Sequence, residues 1–415
     1  MLIEFSVENY KSFKGLQTLT MQATGEKEKG IDVIEHQRLF LAKKNLNILK
    51  TKAIFGANSS GKSNIVKAMA SFWKILNDNL ADKTVLNEYI DAFRLDKTKN
   101  NSPTYFQIIT VIDGIQYRYG FEADTNKIHS EWLFVKEKKE IFYFTREGQK
   151  IINYNKSNFK EIKEVEKTTG RLFKENTLIL SVLYALNRPI SSKIYKSIIH
   201  AITINPGDES GEKKFWLPKS IENWKVNEKF KSFSIELLKK IDKSIVSFEI
   251  KENSDKSFED KSDDDLIIIK RKLNDKEASF NLETHEGSGT RKMFSLSYSI
   301  FSTFYFGKTL IIDELDARLH PKLTREIISL FQTKDCHPEA QFIFVTHDSN
   351  LLDSSLLRRD QITFVDKNKY GVSEIFDLSD VKGVRENDLF EKNYLKGKYG
   401  GLPYLNNLRN IFAHA

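Results

Sequence analysis

Eight consecutive residues, Gly56-Ala57-Asn58-Ser59-Ser60-Gly61-Lys62-Ser63, have the types and spacing that grip a row of phosphates. Glycines at 56 and 61 allow a tight backbone turn, the N–H groups between them point inward, and the anion rests on the N-terminus of a following helix. Lys62 then reaches the β- and γ-phosphates of a nucleotide and the Ser63 hydroxyl ligates Mg²⁺, with Asn64 continuing the loop into the helix. The loop stands where that chemistry needs it, after an apolar stretch at 47–55 and before a helix expected from residue 60 to about 80.

A second apolar run, Thr309-Leu310-Ile311-Ile312, ends in Asp313-Glu314. A buried strand of this form aims Asp313 at Mg²⁺ and leaves Glu314 to polarise the water that attacks the γ-phosphate. Leu315-Asp316-Ala317 follow at once, with Asp316 a further candidate for nucleotide contact. The next expected strand, 341–345, ends in Thr346-His347-Asp348, and its histidine ring is placed to hydrogen-bond the γ-phosphate. Upstream, Glu286-Gly287-Ser288-Gly289-Thr290-Arg291-Lys292 opens a helix expected over 293–306 and stopped by Gly307. A glycine-rich turn at a helix start is a second anion site. One phosphate loop already serves one nucleotide, so Gly287, Ser288 and Gly289 are expected to meet a nucleotide held by another copy. A homodimer, or a higher homo-oligomer built from it, follows.

The elements that carry these motifs divide into four stretches. Residues 1–149 hold the phosphate loop and a β-rich side sheet, including strands at 104–111 and 115–122 that turn on Asp113-Gly114. Residues 150–240 are lysine-rich and read as an inserted, mostly helical module. Residues 241–385 alternate strand and helix after an acidic loop at 255–265, and 386–415 form a tail. The fold class expected is α/β, with a mixed sheet, a β side sheet and the helical insertion. At 415 residues with 40% hydrophobic content the chain has material for more than one core. A single cysteine excludes an intramolecular disulfide or a cysteine zinc cage, and no apolar run is long enough to span a bilayer, so a cytoplasmic protein is expected. The net charge of +8 makes nucleic-acid contact a candidate property without giving it a location.

The motif order resembles the ABC-type ATPase heads of the SMC, RecF and recombination-repair families: phosphate loop, long insertion, signature helix, Asp-Glu strand, D-loop, His switch. More narrowly, the chain is similar to the AAA-family ATPases of prokaryotic abortive infection, the RloA/AbiLi type. That likeness rests on Val7-Glu8-Asn9-Tyr10-Lys11-Ser12-Phe13, the Glu286 to Lys292 turn, Asp313-Glu314-Leu315-Asp316 with Leu319-His320-Pro321, and the tail Tyr394-Leu395-Lys396-Gly397-Lys398-Tyr399-Gly400-Gly401-Leu402-Pro403. It implies ATP and Mg²⁺ as ligands, ATP hydrolysis, and a regulator of anti-phage defence encoded beside a separate, nuclease-like effector. A DNA-repair ATPase acting on duplex DNA is the alternative. The sequence departs from typical ABC signatures in placing Gly287 where a serine contacts the partner's γ-phosphate, with Ser288 one residue later.

Several other features have competing readings. Gln107 is a candidate for the Q-loop glutamine, or else a surface strand residue. Tyr10 to Phe13 sits either near the adenine or in the core. Arg409 and His414 have the spacing of an RNase motif but lack a surrounding helical bundle, and the 394–403 tail either docks a partner or covers the sheet.

Overall fold

The computed structural model describes residues 1–25, 38–43, 46–100, 102–163, 174–200, 202–205, 211–251, 266–274, 276–386 and 388–402. Six strands form the central sheet: β5 (Thr51–Phe55), β11 (Ile202–Asn205), β15 (Thr309–Ile312), β16 (Gln341–Val345), β17 (Ile362–Lys367) and β18 (Ser373–Asp377). Their order is β11-β15-β16-β5-β17-β18, parallel throughout except for the antiparallel edge pair β17 and β18. Every residue of β5, β15 and β16 is buried, as expected for parallel strands covered on both faces. Side-chain alternation then feeds two cores. Ile54, Ile311, Ile343 and Val345 enter one, while Phe55, Leu310, Ile312, Phe342 and Phe344 enter the other.

The first core lies between the central sheet and a second, seven-stranded sheet. That sheet consists of β1 (Leu2–Glu8), β2 (Gln17–Thr20), β6 (Thr104–Ile112), β7 (Ile115–Ala123), β8 (Ile128–Lys136), β9 (Glu140–Glu147) and β10 (Lys150–Tyr154), in the order β10-β9-β8-β7-β6-β1-β2. All its pairings are antiparallel. The turn between β6 and β7 falls on Asp113 and Gly114, with φ of 49° and 75°, the double positive φ that a two-residue hairpin turn requires. Helix α1 (Lys62–Asp78) packs in this core, burying Ile65, Met69, Phe72, Ile75 and Leu76. Phe72 stacks on Phe121 at 5.5 Å and 12° and meets the edge of Phe5 at 6.0 Å. Short helices α2 (Val85–Tyr89), α3 (Lys97–Asn100), α4 (Ile179–Ala185) and α5 (Pro189–Ile199) complete this half. The fully buried Glu131 carboxylate accepts from the N–H groups of Ile179 (2.7 Å) and Leu180 (3.1 Å) at the start of α4 and pairs with Arg146 at 3.2 Å. An anion at a helix N-terminus is stabilised there by the dipole and the open N–H groups.

The second core gathers α6 (Leu217–Val226), α7 (Glu228–Ile241), α8 (Ser288–Phe306) and α9 (Pro321–Leu330) with a three-stranded sheet, β12 (Ile245–Lys251), β13 (Leu266–Leu273) and β14 (Lys276–Asn281). The pair β3 (Leu39–Lys43) and β4 (Leu46–Leu49) and the terminal helix α10 (Phe390–Leu395) account for the remaining named strands and helix. The architecture is the expected α/β one, with a mixed sheet and a β side sheet. Two strands nevertheless lie inside the stretch read as mostly helical: β10 extends the side sheet and β11 pairs with β15. Four residues of Ile-Thr-Ile-Asn are too few to display a period, so only the pairing with β15 makes β11 a strand. The acidic loop at 255–265 lies outside the described residues.

Because Phe72 is fully buried against Phe5, Phe106, Tyr119 and Phe121 of the side sheet, Phe72→Ala is expected to cost about 3–5 kcal/mol. Urea denaturation followed by tryptophan fluorescence measures this; a loss below about 1 kcal/mol is incompatible with a helix clamped between two sheets.

Candidate functional site

Strands β5, β15 and β16 are adjacent and parallel, so their C-terminal ends deliver the phosphate loop, Asp313-Glu314 and His347 to one edge of the sheet. In the loop, Gly56 has φ 152° and Gly61 φ 110°, and Ser59 takes the left-handed value of 63°. Neither glycine has room for a side chain. A Cβ at Gly56 would lie 2.3 Å from the Val365 carbonyl oxygen, and one at Gly61 would lie 2.6 Å from Ser373 Oγ and 2.8 Å from Ser12 Oγ. Those two serines back the loop: Ser373 Oγ donates to the Ser60 carbonyl (2.5 Å) and Asn64 Nδ2 donates to Ser12 Oγ (2.8 Å).

Lys62 folds over the loop, its Nζ donating to the carbonyls of Gly56 and Ala57, both at 2.7 Å. Burial lowers its pKa to about 8, against the opposing pull of Asp313, Asp316 and Glu314. Ser60 Oγ is buried with no hydrogen-bond partner among the described residues, an open polar atom in a cradle shaped for an anion. Asn58 and Ser59 face solvent at the rim.

Asp313 is buried beside this loop, and its backbone N–H is fixed by the Asn205 carbonyl at the end of β11 (2.9 Å). Burial raises its carboxyl pKa, while a hydrogen bond from the Ser63 hydroxyl and one from the Glu314 N–H act in the other direction. A hydroxyl and a desolvated carboxylate in direct contact form a hard-oxygen pair that suits Mg²⁺. Glu314 projects to solvent from a left-handed backbone, φ 52°, and the loop it opens closes at Arg318 with φ 65°.

That loop is tied from two sides. The ammonium of Lys292 on α8 donates to the carbonyls of Glu314 (2.7 Å), Leu315 (3.2 Å) and Ala317 (2.9 Å). Gly289 approaches it so closely that a Cβ there would lie 2.7 Å from the Arg318 carbonyl oxygen. On the other side the His347 N–H donates to Asp316 Oδ1 (3.2 Å). The His347 side chain is exposed at its outer edge; partial burial lowers its pKa first, then the charge of Lys62, against Asp316, Glu314 and Asp313. The imidazole is thus held toward its neutral form.

At the start of α8, Arg271 grips Glu286 with two bonds of 3.0 and 2.6 Å, and Arg291 donates to the carbonyls of Glu283 (3.1 Å) and Glu286 (2.9 Å). No side chain caps the helix, so its first N–H groups are available to an outside acceptor. Gly287 is exposed, with open space where a Cβ would stand.

The structure therefore gathers Gly56 to Asn64, Asp313, Glu314, Asp316 and His347 around one cleft, and puts Gly287, Ser288 and Gly289 on an open helix start joined to that cleft through Lys292. Gln107 is elsewhere: it sits on β6, its side-chain oxygen accepting from Trp132 Nε1 (3.1 Å) and Arg118 Nη1 (3.3 Å). Tyr10 is a core residue whose hydroxyl pairs with Ser71 Oγ at 2.9 Å, whereas Ser12 touches the loop. Arg409 and His414 lie outside the described residues. Sequence reasoning named Lys292 only as the last residue of the 286–292 turn, without its tie to the Glu314 loop, and missed Ser373 and Asn205 altogether. For Lys292 a signal existed, a lysine on the face of α8 shared by the buried Ser295 and Leu296; for Ser373 and Asn205 none did.

This combination is the fold of a P-loop ATPase. The sequence profile of the family described as "AAA domain, putative AbiEii toxin, Type IV TA system" matches residues 53–353, and the chain belongs to that family. Among solved structures, it is similar to the SMC head domain from Thermotoga maritima at 13% identity and a TM-score of 0.42, covering 91% of this chain and 98% of that one. It is also similar to an Smc head bound to the C-winged helix domain of ScpA, at 16% identity and a TM-score of 0.48, covering 92% and 99%. A third likeness is to the Smc head domain with an extended coiled coil, bound to the C-terminal domain of ScpA, from Pyrococcus furiosus, at 15% identity and a TM-score of 0.45, covering 91% and 96%. No curated protein matches the sequence. No helix among the described residues is long and apolar enough to cross a membrane.

Two outcomes are expected from this geometry. A phosphate chain favours the charged ammonium, and free Lys62 loses its proton near pH 8, so ATP binding should take up a proton above that pH. Calorimetry should then show affinity falling by up to about tenfold per pH unit between pH 8 and 10, with a shallower slope in Lys62→Arg. Lys292→Met removes the donor shared by three carbonyls and frees the loop that aims Glu314. Turnover is expected to drop by about tenfold or more with ATP affinity nearly unchanged, and an unaltered kcat would contradict this role.

Proposed function

We propose that this chain binds and hydrolyses ATP at the cleft between Gly56 and His347, and that the cleft is completed by the Gly287–Ser288–Gly289 turn of a second copy. Lys62 and the loop N–H groups hold the β- and γ-phosphates, and Mg²⁺ on Ser63 and Asp313 neutralises their charge. Glu314 polarises the attacking water, and His347, kept near neutral and tied to Asp316, hydrogen-bonds the γ-phosphate. The observation that carries the composite site is the helix start at Ser288, uncapped and preceded by the exposed Gly287, linked by Lys292 and Gly289 to the loop that bears Glu314. Its N–H groups and dipole favour an anion.

At the level of the cell, the reading is a regulator of an anti-phage, abortive-infection system in which nucleotide-driven pairing controls a separate, nuclease-like effector. Membership of a family described by a toxin of a toxin–antitoxin system supports a defence role over housekeeping repair. A gene for such an effector beside this one supports the reading; a replication operon there points to DNA repair.

Glu314→Gln should cut hydrolysis by roughly a hundredfold or more while leaving ATP bound. Light scattering with ATP and Mg²⁺ is then expected to report twice the 48.2 kDa of a single chain. A variant that binds ATP and stays at the mass of one chain rules out the composite site.

A further inference from the structure

The segment from Phe390 to Leu402 touches both ends of the cleft, beside His347 and at Gly56. At its start, Glu391 is held by the loop just past His347: its N–H donates to the Leu352 carbonyl (3.1 Å), and its carboxylate accepts from Ser349 Oγ (2.9 Å). At its end the chain turns back through Gly397, Gly400 and Gly401, all with positive φ, and Gly401 comes to rest against the first glycine of the phosphate loop. A Cβ at Gly401 would lie 3.6 Å from Gly56 Cα and 3.4 Å from the Phe364 ring. Tyr394 locks this approach. Its ring stacks on Phe364 at 5.2 Å and 20°, and its buried hydroxyl donates to the Gly401 carbonyl at 2.9 Å. Tyr399, also buried, packs on the same phenylalanine at 6.0 Å.

We propose that this segment is a positioning strap for the nucleotide site, in which Tyr394 and Gly401 fix where Gly56 begins the phosphate loop and Glu391 ties that setting to the His347 loop. The inference rests on the ATP reading of the cleft. Gly56 sits at a φ open essentially to glycine, 2.3 Å from the Val365 carbonyl by the measure of an added Cβ, so it has no slack on its β17 side. Gly401 closes another side. A loop walled in this way holds its N–H groups in the phosphate-binding arrangement before the nucleotide arrives, which lowers the ordering cost of binding. Tyr394 and Gly401 contact Phe364 and Gly56 rather than Glu314 or the His347 ring, so their loss acts on affinity and leaves the chemical step in place.

Titration of the full chain with a fluorescent ATP analogue tests this, with ATP turnover measured alongside. Gly401→Val forces a branched residue into φ 69° and toward Gly56, and is expected to weaken ATP by about tenfold. Tyr394→Phe removes only the hydroxyl that holds Gly401 and should weaken ATP about three- to tenfold. In both, KM rises while kcat stays within about twofold, and for Tyr394→Phe heating without nucleotide gives a midpoint close to wild type while the extra stabilisation by ATP shrinks. If Gly401→Val does not fold, Tyr394→Phe decides alone. Wild-type ATP affinity in a folded Tyr394→Phe overturns the strap and leaves the nucleotide site standing, whereas a wild-type chain that binds no ATP overturns both.

Discussion

A helix buried over most of its circumference has to be covered from more than one side, and α1 is such a helix. Ten of its positions are buried, from Lys62 to Leu76, with Lys67, Lys74 and Asn77 among the exposed ones. The side sheet supplies one cover through Phe5, Phe106 and Phe121, and the central sheet supplies the other through Ile54, Ile311, Ile343 and Val345. Trp73 adds a polar anchor, its indole N–H donating to the Ile198 carbonyl of α5 at 2.8 Å. With the body of the helix immobilised in this way, its N-terminus is immobilised too. The phosphate loop is thus held by the hydrophobic packing of the helix that follows it, which lets the loop keep positive-φ glycines and a folded-back lysine.

The cleft itself concentrates charges that burial disfavours. Lys62 is pushed toward its neutral form and Asp313 toward its protonated form, each by loss of water, and each restrained by the other's charge or by a hydrogen bond. A pair so placed is poorly satisfied by the protein alone. Phosphate oxygens beside Lys62 and a divalent cation between Ser63 and Asp313 relieve both conditions together, so nucleotide and metal are expected to bind as a unit.

Much of this was legible in the sequence wherever chemistry fixes both residue type and local spacing. Gly56 to Ser63, the Thr309 to Glu314 run and the Asp113-Gly114 turn each contain their own geometric reason, and each lies where expected. Asn205, Ser12 and Ser373 do not. Asn205 contributes through its backbone carbonyl, which every residue carries, and Ser12 and Ser373 reach the loop, at Asn64 and Ser60, from 52 and 313 residues away in the chain. Contacts of that kind are set by sheet order, and the crossover that puts β5 between β16 and β17 leaves no trace in a window of sequence. Gln107 failed as a candidate for the converse reason: its identity was right for a phosphate-site residue, but β6 lies in the side sheet and Trp132 and Arg118 occupy its side-chain oxygen.

The loop from Glu314 to Arg318 is where packing and chemistry meet. Two non-glycine residues in the left-handed region cost about 1–2 kcal/mol each, and such strain persists only where neighbours over-determine it. Here Lys292 supplies three hydrogen bonds to the carbonyls, Gly289 supplies the space, and Asp316 joins the loop to His347. Both Lys292 and Gly289 belong to the first turn and a half of α8, the helix whose open start is proposed to receive the partner's nucleotide. A shift of that helix start on contact with an anion would move the ammonium and, with it, the carbonyl of Glu314.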